Sequence, residues 1–319
     1  MTSRSVKHAP GRRAIARAEE VPAPFPDSNL VAPEQVLDVA CHALEYRSPA
    51  YSAHSVLARW QRGILVSVVV LFLVGLIFLP WITAVVLVAL ATASYIWALG
   101  FRFLLFRHGA RGERMVKITD EDARAFPDAQ LPVYTVLVPV FKEPLIEELV
   151  EALERIEYPR EKLDIRLLLE ADDTETIAAA SRLRPRAHLT VIQVPKAEPQ
   201  TKPKACNYGL LTARGTLCTI FDAEDRPDPL QLRKAVLALD RLGTDYACVQ
   251  ARLGFYNSRQ NLLTRWFTLD YGAWFGNMLP GLVGISAPIP LGGTSNHFRV
   301  MALKAVGAWD PWNVTEDAD

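Results

Sequence analysis

Hydrophobic and polar positions divide the chain into three regimes. Residues 1–30 are basic and rich in Pro and Ala, with no apolar leader core, and predict a flexible tail. Within 31–58, PEQVLDVACHALEY repeats Val36, Val39, Ala40 and Leu44 at helical spacing. It predicts a short helix lying near a membrane or on a folded domain. No charge then occurs from Gly63 to Phe101, a run broken at Leu79-Pro80-Trp81. Its blocks, Ile64 to Leu79 and Trp81 to Gly100, approach the ~20 residues that span a bilayer, and Trp60 and Pro80 extend the shorter one. The pattern predicts a transmembrane hairpin over 60–105, with helices at about 61–79 and 81–101 and Trp81 at headgroup level.

Beyond a polar linker from about Arg111 to Gln130, the rhythm changes. Apolar, β-rich runs at 133–141, 163–170, 189–194, 216–222 and 246–251 alternate with helical patterns at 145–156, 174–183, 204–213 and 229–239. Alternation of this kind predicts an α/β domain over 130–319, with a mostly parallel sheet covered on both faces. Ligands of such sheets sit beyond the C-terminal ends of the strands.

Charge refines the picture. Lys and Arg total 35 and so do Asp and Glu, so bulk nucleic-acid binding is not expected. Arg59 and Arg62 precede the hairpin; Arg102, Arg107, Arg111 and Arg114 follow it. Basic residues on both outer flanks predict that both ends are cytoplasmic. Cys41, Cys206, Cys218 and Cys248 match no zinc or disulfide spacing, and Cys218 and Cys248 are expected to be buried thiols.

The candidate chemistry lies at the predicted strand ends. PVFKEP follows the first strand, Glu170-Ala171-Asp172-Asp173 the second, and Asp222-Ala223-Glu224-Asp225 the fourth. Each acidic cluster alone is compatible with a solvated turn or a helix cap. Two at separate strand ends, with a Lys in the helix between, point to a cation. Asp228 is expected to cap a helix that starts at Pro229. Trp266, Tyr271, Trp274 and Phe275 suit a sugar-stacking surface, an interfacial helix or plain core, with core the default.

The stretches VPVFKEP, EADDTET, KPKACNYGL, FDAEDRPDP, VQARLGFYN, GGTSNHFR and TED occur in this order over 133–317. The series resembles the membrane-bound family 2 glycosyltransferases, the group that includes bacterial cellulose and exopolysaccharide synthases. The resemblance implies a GT-A (Rossmann-like) fold and inverting transfer of a hexose from a nucleotide-sugar, a UDP-sugar first, to a polysaccharide or lipid acceptor. It implies that Asp172 or Asp173 accepts a hydrogen bond from the base, that Lys204 contacts the diphosphate, and that Asn207 helps to position it. It implies that Asp222 and Glu224 fill the place of a D-x-D pair holding Mg²⁺ or Mn²⁺. This chain reads D-A-E-D, so Asp225 with a shifted loop stays an alternative to Glu224. Asp317 takes the place of the general base, and Gly293, Thr294, Asn296 and Arg299 line the acceptor side. Such enzymes sit in the bacterial inner membrane, multi-pass, with the catalytic domain in the cytoplasm. The Q-x-x-R-W motif that follows in them is absent through Asp319. A C-terminally truncated chain is therefore expected, with an incomplete acceptor half and room for a partner subunit. An inactive nucleotide- or partner-binding fragment is the second expectation. A nucleotidyltransferase ranks last, since PVFKEP offers Lys142 but no glycine.

Overall fold

The computed structural model describes residues 25, 35–112, 115–143 and 146–313. Helix α1 (Val36–Arg47) buries Ala40, Cys41 and Leu44, while Val36 and Val39 of the predicted stripe are half-buried. Helices α2 (Arg59–Phe78) and α3 (Pro80–Gly109) form a hairpin hinged at Leu79. Pro80 opens α3, where a missing N–H costs no hydrogen bond. Both helices are long and apolar enough to cross a membrane, and their most apolar windows are 0% buried. Helix α3 outruns the predicted limit near 101, because Leu105 and Gly109 are buried against the α/β domain.

The chain continues through α4 (Asp120–Ala125), β1 (Tyr134–Val140), α5 (Ile146–Glu154), β2 (Leu163–Glu170), α6 (Thr174–Ala180), β3 (Leu189–Val194), α7 (Lys202–Leu211), β4 (Leu217–Ile220) and α8 (Gln231–Leu242). It then forms β5 (Cys248–Gln250), α9 (Leu262–Ala273), a π-helical turn (Trp274–Met278), α10 (Leu279–Gly284), β6 (Asn296–Arg299) and α11 (Val300–Ala305). The sheet has six strands in the order β3-β2-β1-β4-β6-β5. The first four are parallel, and β6 runs antiparallel to both β4 and β5.

Alternate residues of β1 serve opposite faces, as the pleat requires. Val136, Val138 and Val140 pack with α5 and α8, whereas Leu137 packs with α7, α11 and α1. Helix α1 thus lies on the α/β domain. Within the core, Tyr134 Oη lies 2.6 Å from His297 Nδ1. Full burial pushes the His297 imidazole down to about 3. Strand β6 was not foreseen: its four residues, Asn-His-Phe-Arg, are too short and polar to show a strand period. Helix α8 begins at Gln231, not Pro229, and Asp228 instead accepts from the Leu230 N–H at 2.9 Å in the turn before it. Among the described residues all four cysteines are free; Cys218 is buried and Cys248 half-buried.

Candidate active site

Strands β1, β2 and β4 end at the same edge of the sheet. Because β6 is antiparallel to β4, the loop 292–295 that enters β6 meets that edge too. Strand direction therefore separates the residues expected on the acceptor side. Gly293, Thr294 and Asn296 lie beside the end of β4. Arg299 pairs with Leu217 at the start of β4, ~10 Å further along at ~3.3 Å per residue. Its guanidinium donates to the carbonyls of Tyr246 (3.0 Å), Leu239 (2.9 Å) and Gly243 (3.0 Å), so it anchors the end of α8 away from the edge.

At the end of β4, Asp222 to Asp225 form a tight turn, closed by the Asp225 N–H on the Asp222 carbonyl at 3.1 Å. The Asp225 carboxylate folds back inside this turn. Its Oδ2 accepts from the Asp222 N–H at 2.8 Å and from the Thr294 hydroxyl. Burial raises its pKa, only partly offset by these donors. Asp225 is thus a turn lock, and the shifted-loop alternative finds no support in its geometry. Glu224 is exposed and borders a cavity of about 430 Å³ with Glu143, Glu148, Arg155, Arg226 and Tyr256. Asp222 Oδ1 lies 2.6 Å from Lys202 Nζ. That ammonium also donates to the Gly293 carbonyl at 3.0 Å, tying the β4 turn to the β6 loop. Gln250 holds the same loop from β5: its Oε1 accepts from the Gly292 N–H at 2.7 Å, and its Nε2 donates to the Thr294 carbonyl at 3.1 Å. Asn296 donates to the Gly292 carbonyl, and its Oδ1 has no hydrogen-bond partner among the described atoms.

The lysine expected at the diphosphate is placed elsewhere. Lys204 is fully buried, with Nζ 2.8 Å from Glu170 Oε2. Burial pushes the Glu170 carboxyl up despite this partner. Two residues apart on a helix lie ~200° apart, so α7 aims Lys202 at the acid cluster and Lys204 at the core. Asn207 also turns inward. It donates to the Trp309 carbonyl at 2.8 Å and accepts from the Trp309 N–H at 3.2 Å. Sequence reasoning missed Lys202 and Gln250. The one available signal was that only one of two lysines spaced i, i+2 can face a given side.

At the end of β2, Asp173 is buried. It accepts from the Thr176 N–H at 3.2 Å, capping α6, and from the Lys142 N–H at 2.5 Å, stapling the loop after β1. Burial opposes its ionisation, but these donors prevail and its pKa falls. Asp172 keeps the more open position, paired with Lys196 Nζ at 3.1 Å and Gln200 Nε2 at 2.9 Å. The hydrogen bond to Lys196 leads the causes that lower its pKa. Asp317 lies outside the described residues.

Among the described residues, no three His, Cys, Asp or Glu side chains converge to hold a metal ion. The aromatic stretch is not the plain core expected: Trp266 is 63% exposed and Trp274 39%, while Phe275 is buried.

Residues 132–319 match the family described as glycosyltransferase like family 2. A curated relative, glucomannan 4-beta-mannosyltransferase 1 of Oryza sativa subsp. japonica, is 28% identical over 68% of this chain and 43% of its own length. The probable glycosyltransferase YdaM of Bacillus subtilis (strain 168) is 24% identical over 71% of this chain and 54% of its own. The chain thus spans about half the length of these curated relatives. In fold it is similar to the mannosyltransferase PcManGT of Pyrobaculum calidifontis, solved with GDP-Man and Mn²⁺. The TM-score is 0.52, the identity 21%, and the match covers 72% of this chain and 61% of that one. The match over the whole sheet domain makes this chain a member of glycosyltransferase family 2, built on the GT-A fold, and sets aside the nucleotidyltransferase expectation.

Proposed function

We propose that the chain is a membrane-anchored, inverting hexosyltransferase that draws its sugar from a UDP- or GDP-linked donor. The observation that carries this is the Lys202–Asp222 pair at the β4 end, roofed by the Gly292–Ser295 loop. It sets a fixed positive charge beside carboxylates where a parallel sheet binds ligands. Lys202 serves the diphosphate as a point charge. Asp172 is the exposed acceptor at the β2 end for a donor N–H of the base, whereas Asp173 is buried, with its oxygens holding the Thr176 and Lys142 N–H groups.

Asp222 and Glu224 suit a hard divalent cation, Mg²⁺ or Mn²⁺. The fit rests on the donor set: two carboxylates in one turn, with a spot 2.6 Å from Asp222 that already accepts a positive charge. Mg²⁺ is commonly held by one or two protein carboxylates plus substrate phosphates, without an all-protein cage. When bound, such an ion offsets the charge gathering on the leaving diphosphate. The protein's own part is to hold the donor with Asp172, Lys202 and the Thr294 loop, and to position Asp317 to take the acceptor hydroxyl proton. The acceptor oxygen then bonds to the anomeric carbon as the carbon–phosphate oxygen bond breaks. A polysaccharide or lipid acceptor, a bacterial inner-membrane location, cytoplasmic catalysis and a partner subunit that completes the acceptor half belong to the same proposal.

The test is nucleotide affinity in detergent, with Mn²⁺ or Mg²⁺ and then with chelator, for both UDP and GDP. Metal-dependent binding of one of them supports the donor site. The relatives named as mannosyltransferases make mannose a first sugar to assay for transfer. Absence of binding under every condition rejects the proposal for this chain.

A further inference from the structure

We propose that Phe25 and residues 35–54 form a brace for the stretch that leads to Asp317, with the buried Asp310 carboxylate at its centre. Ser52, His54 and Asp310 are then positioning residues for sugar transfer. This rests on the reading of Asp317 as the general base. Asp317 stands four residues past Asn313, so within ~14 Å of it even at full extension. Whatever fixes residues 309–313 therefore limits where that carboxylate can reach.

Two parts of the chain hold this loop. The first is α7. Asn207 grips both backbone groups of Trp309, and the Thr201 hydroxyl, just before α7, donates to the Pro311 carbonyl at 2.7 Å. Lys202 comes next, so the loop is tied to the turn that faces Asp222. The second is the N-terminal segment. Asp310 is 0% exposed. Its Oδ1 accepts from the Ser52 hydroxyl at 3.2 Å, from a residue 258 positions away, and from the Trp312 N–H at 3.1 Å. Its Oδ2 accepts from the Ala53 N–H. The His54 ring stands edge-on to Trp312, with centroids 4.3 Å apart, and Glu45 of α1 holds that imidazole through Nδ1 at 2.9 Å. Phe25 falls in the stretch expected to be a flexible tail, yet it is buried in one cluster with Leu303 and Trp309. Its N–H donates to the Lys304 carbonyl at 2.6 Å.

The chemistry of these contacts separates a brace from plain packing. A buried carboxylate must be desolvated, so an apolar seam would hold the segment in place at lower cost. Directional donors on a carboxylate fix the orientation of the loop as well as its position. Helix α2 opens at Arg59, five residues past His54, so the same brace ties the loop to the hairpin.

The test follows release of UDP or GDP from UDP-glucose and GDP-mannose by the full chain in detergent, with Mg²⁺ present and water as acceptor. Wild type, D317N, the double change S52A/H54A and all three changes together form a cycle. The expected result is a kcat loss of roughly 10- to 100-fold for S52A/H54A, the scale of a catalytic group displaced by about an ångström. Donor KM and the affinity for UDP or GDP should stay unchanged. All three changes together should lose no more than D317N alone, since residues that act through one carboxylate are not additive. Full activity of S52A/H54A beside an impaired D317N overturns the inference and leaves the base reading standing, and so do additive losses. Full activity of D317N overturns the base reading and the inference with it. If S52A/H54A also loses nucleotide affinity, S52A, which removes a single hydroxyl, repeats the cycle. If wild type releases nothing, a nitroxide on E316C decides, with wild type as background since Cys41, Cys206 and Cys218 are buried. Motion freed by S52A then supports the brace, and an unchanged spectrum overturns it.

Discussion

Lys202 and Lys204 share the first turn of α7, and their substitution should separate two kinds of loss. Lys204→Met leaves the Glu170 carboxylate buried without its partner, which typically costs ~3–5 kcal/mol. Chemical denaturation should show that loss, and the double change K204M/E170M should recover most of it, since an apolar pair can replace a buried ion pair. Lys202→Met removes a half-exposed ammonium. It should leave the unfolding midpoint nearly unchanged while weakening nucleotide diphosphate binding by at least about tenfold, the scale of one charged hydrogen bond. Equal effects of the two changes on stability would contradict the division of roles. His297 offers a pH test. Its folded pKa, about 3, lies below its ordinary value of 6.5. Below that ordinary value the unfolded chain takes up a proton that the folded chain refuses. Stability should therefore fall as pH drops from 6.5 toward 3, by up to ~1.4 kcal/mol per unit from this group. H297Q should flatten that part of the slope.

Short elements carry the site, and their geometry sorts its acids. The turn 222–225 is held by the Asp225 side chain from within, whereas Glu224 stands outside it. Asp225→Ala should lower thermal stability and nucleotide affinity together, because Thr294 and the Asp222 N–H lose their shared acceptor. Glu224→Ala should weaken Mn²⁺ binding, read by electron paramagnetic resonance, with the melting temperature unchanged. At the junction of α3 and α10 a single methyl decides. Gly109→Ala places a carbon 1.8 Å from a backbone oxygen, so the helices must part. Limited proteolysis should then cut near 274–284 faster than in wild type. The five strands of the sequence reading were legible because their apolar runs are local. Strand β6 was not, because its four residues become a strand only between β4 and β5.

For the whole molecule, a metal-independent fold with a metal-dependent site is the expectation. Lys202 already neutralises Asp222, and the core clusters on both sheet faces contain no metal ligand set among the described residues. Chelation should thus abolish nucleotide binding while shifting the melting temperature by less than a degree or two, within the range of a change below ~0.5 kcal/mol. The amino-acid sequence by itself determined the hairpin, the alternating α/β order and the acids at the strand ends. These depend on local periodicity and on residue type, which survive without a fold. Tertiary structure decided which members of each pair face the strand-end edge. It turned Lys202 outward and Lys204 inward, and it closed Asp225 into its turn while leaving Glu224 open. It sent Arg299 to the far end of an antiparallel strand and bolted Asn207 to Trp309. Apart from the Asp222 N–H that Asp225 accepts three residues away, these choices depend on contact between segments tens of residues apart, and no window of sequence contains both partners.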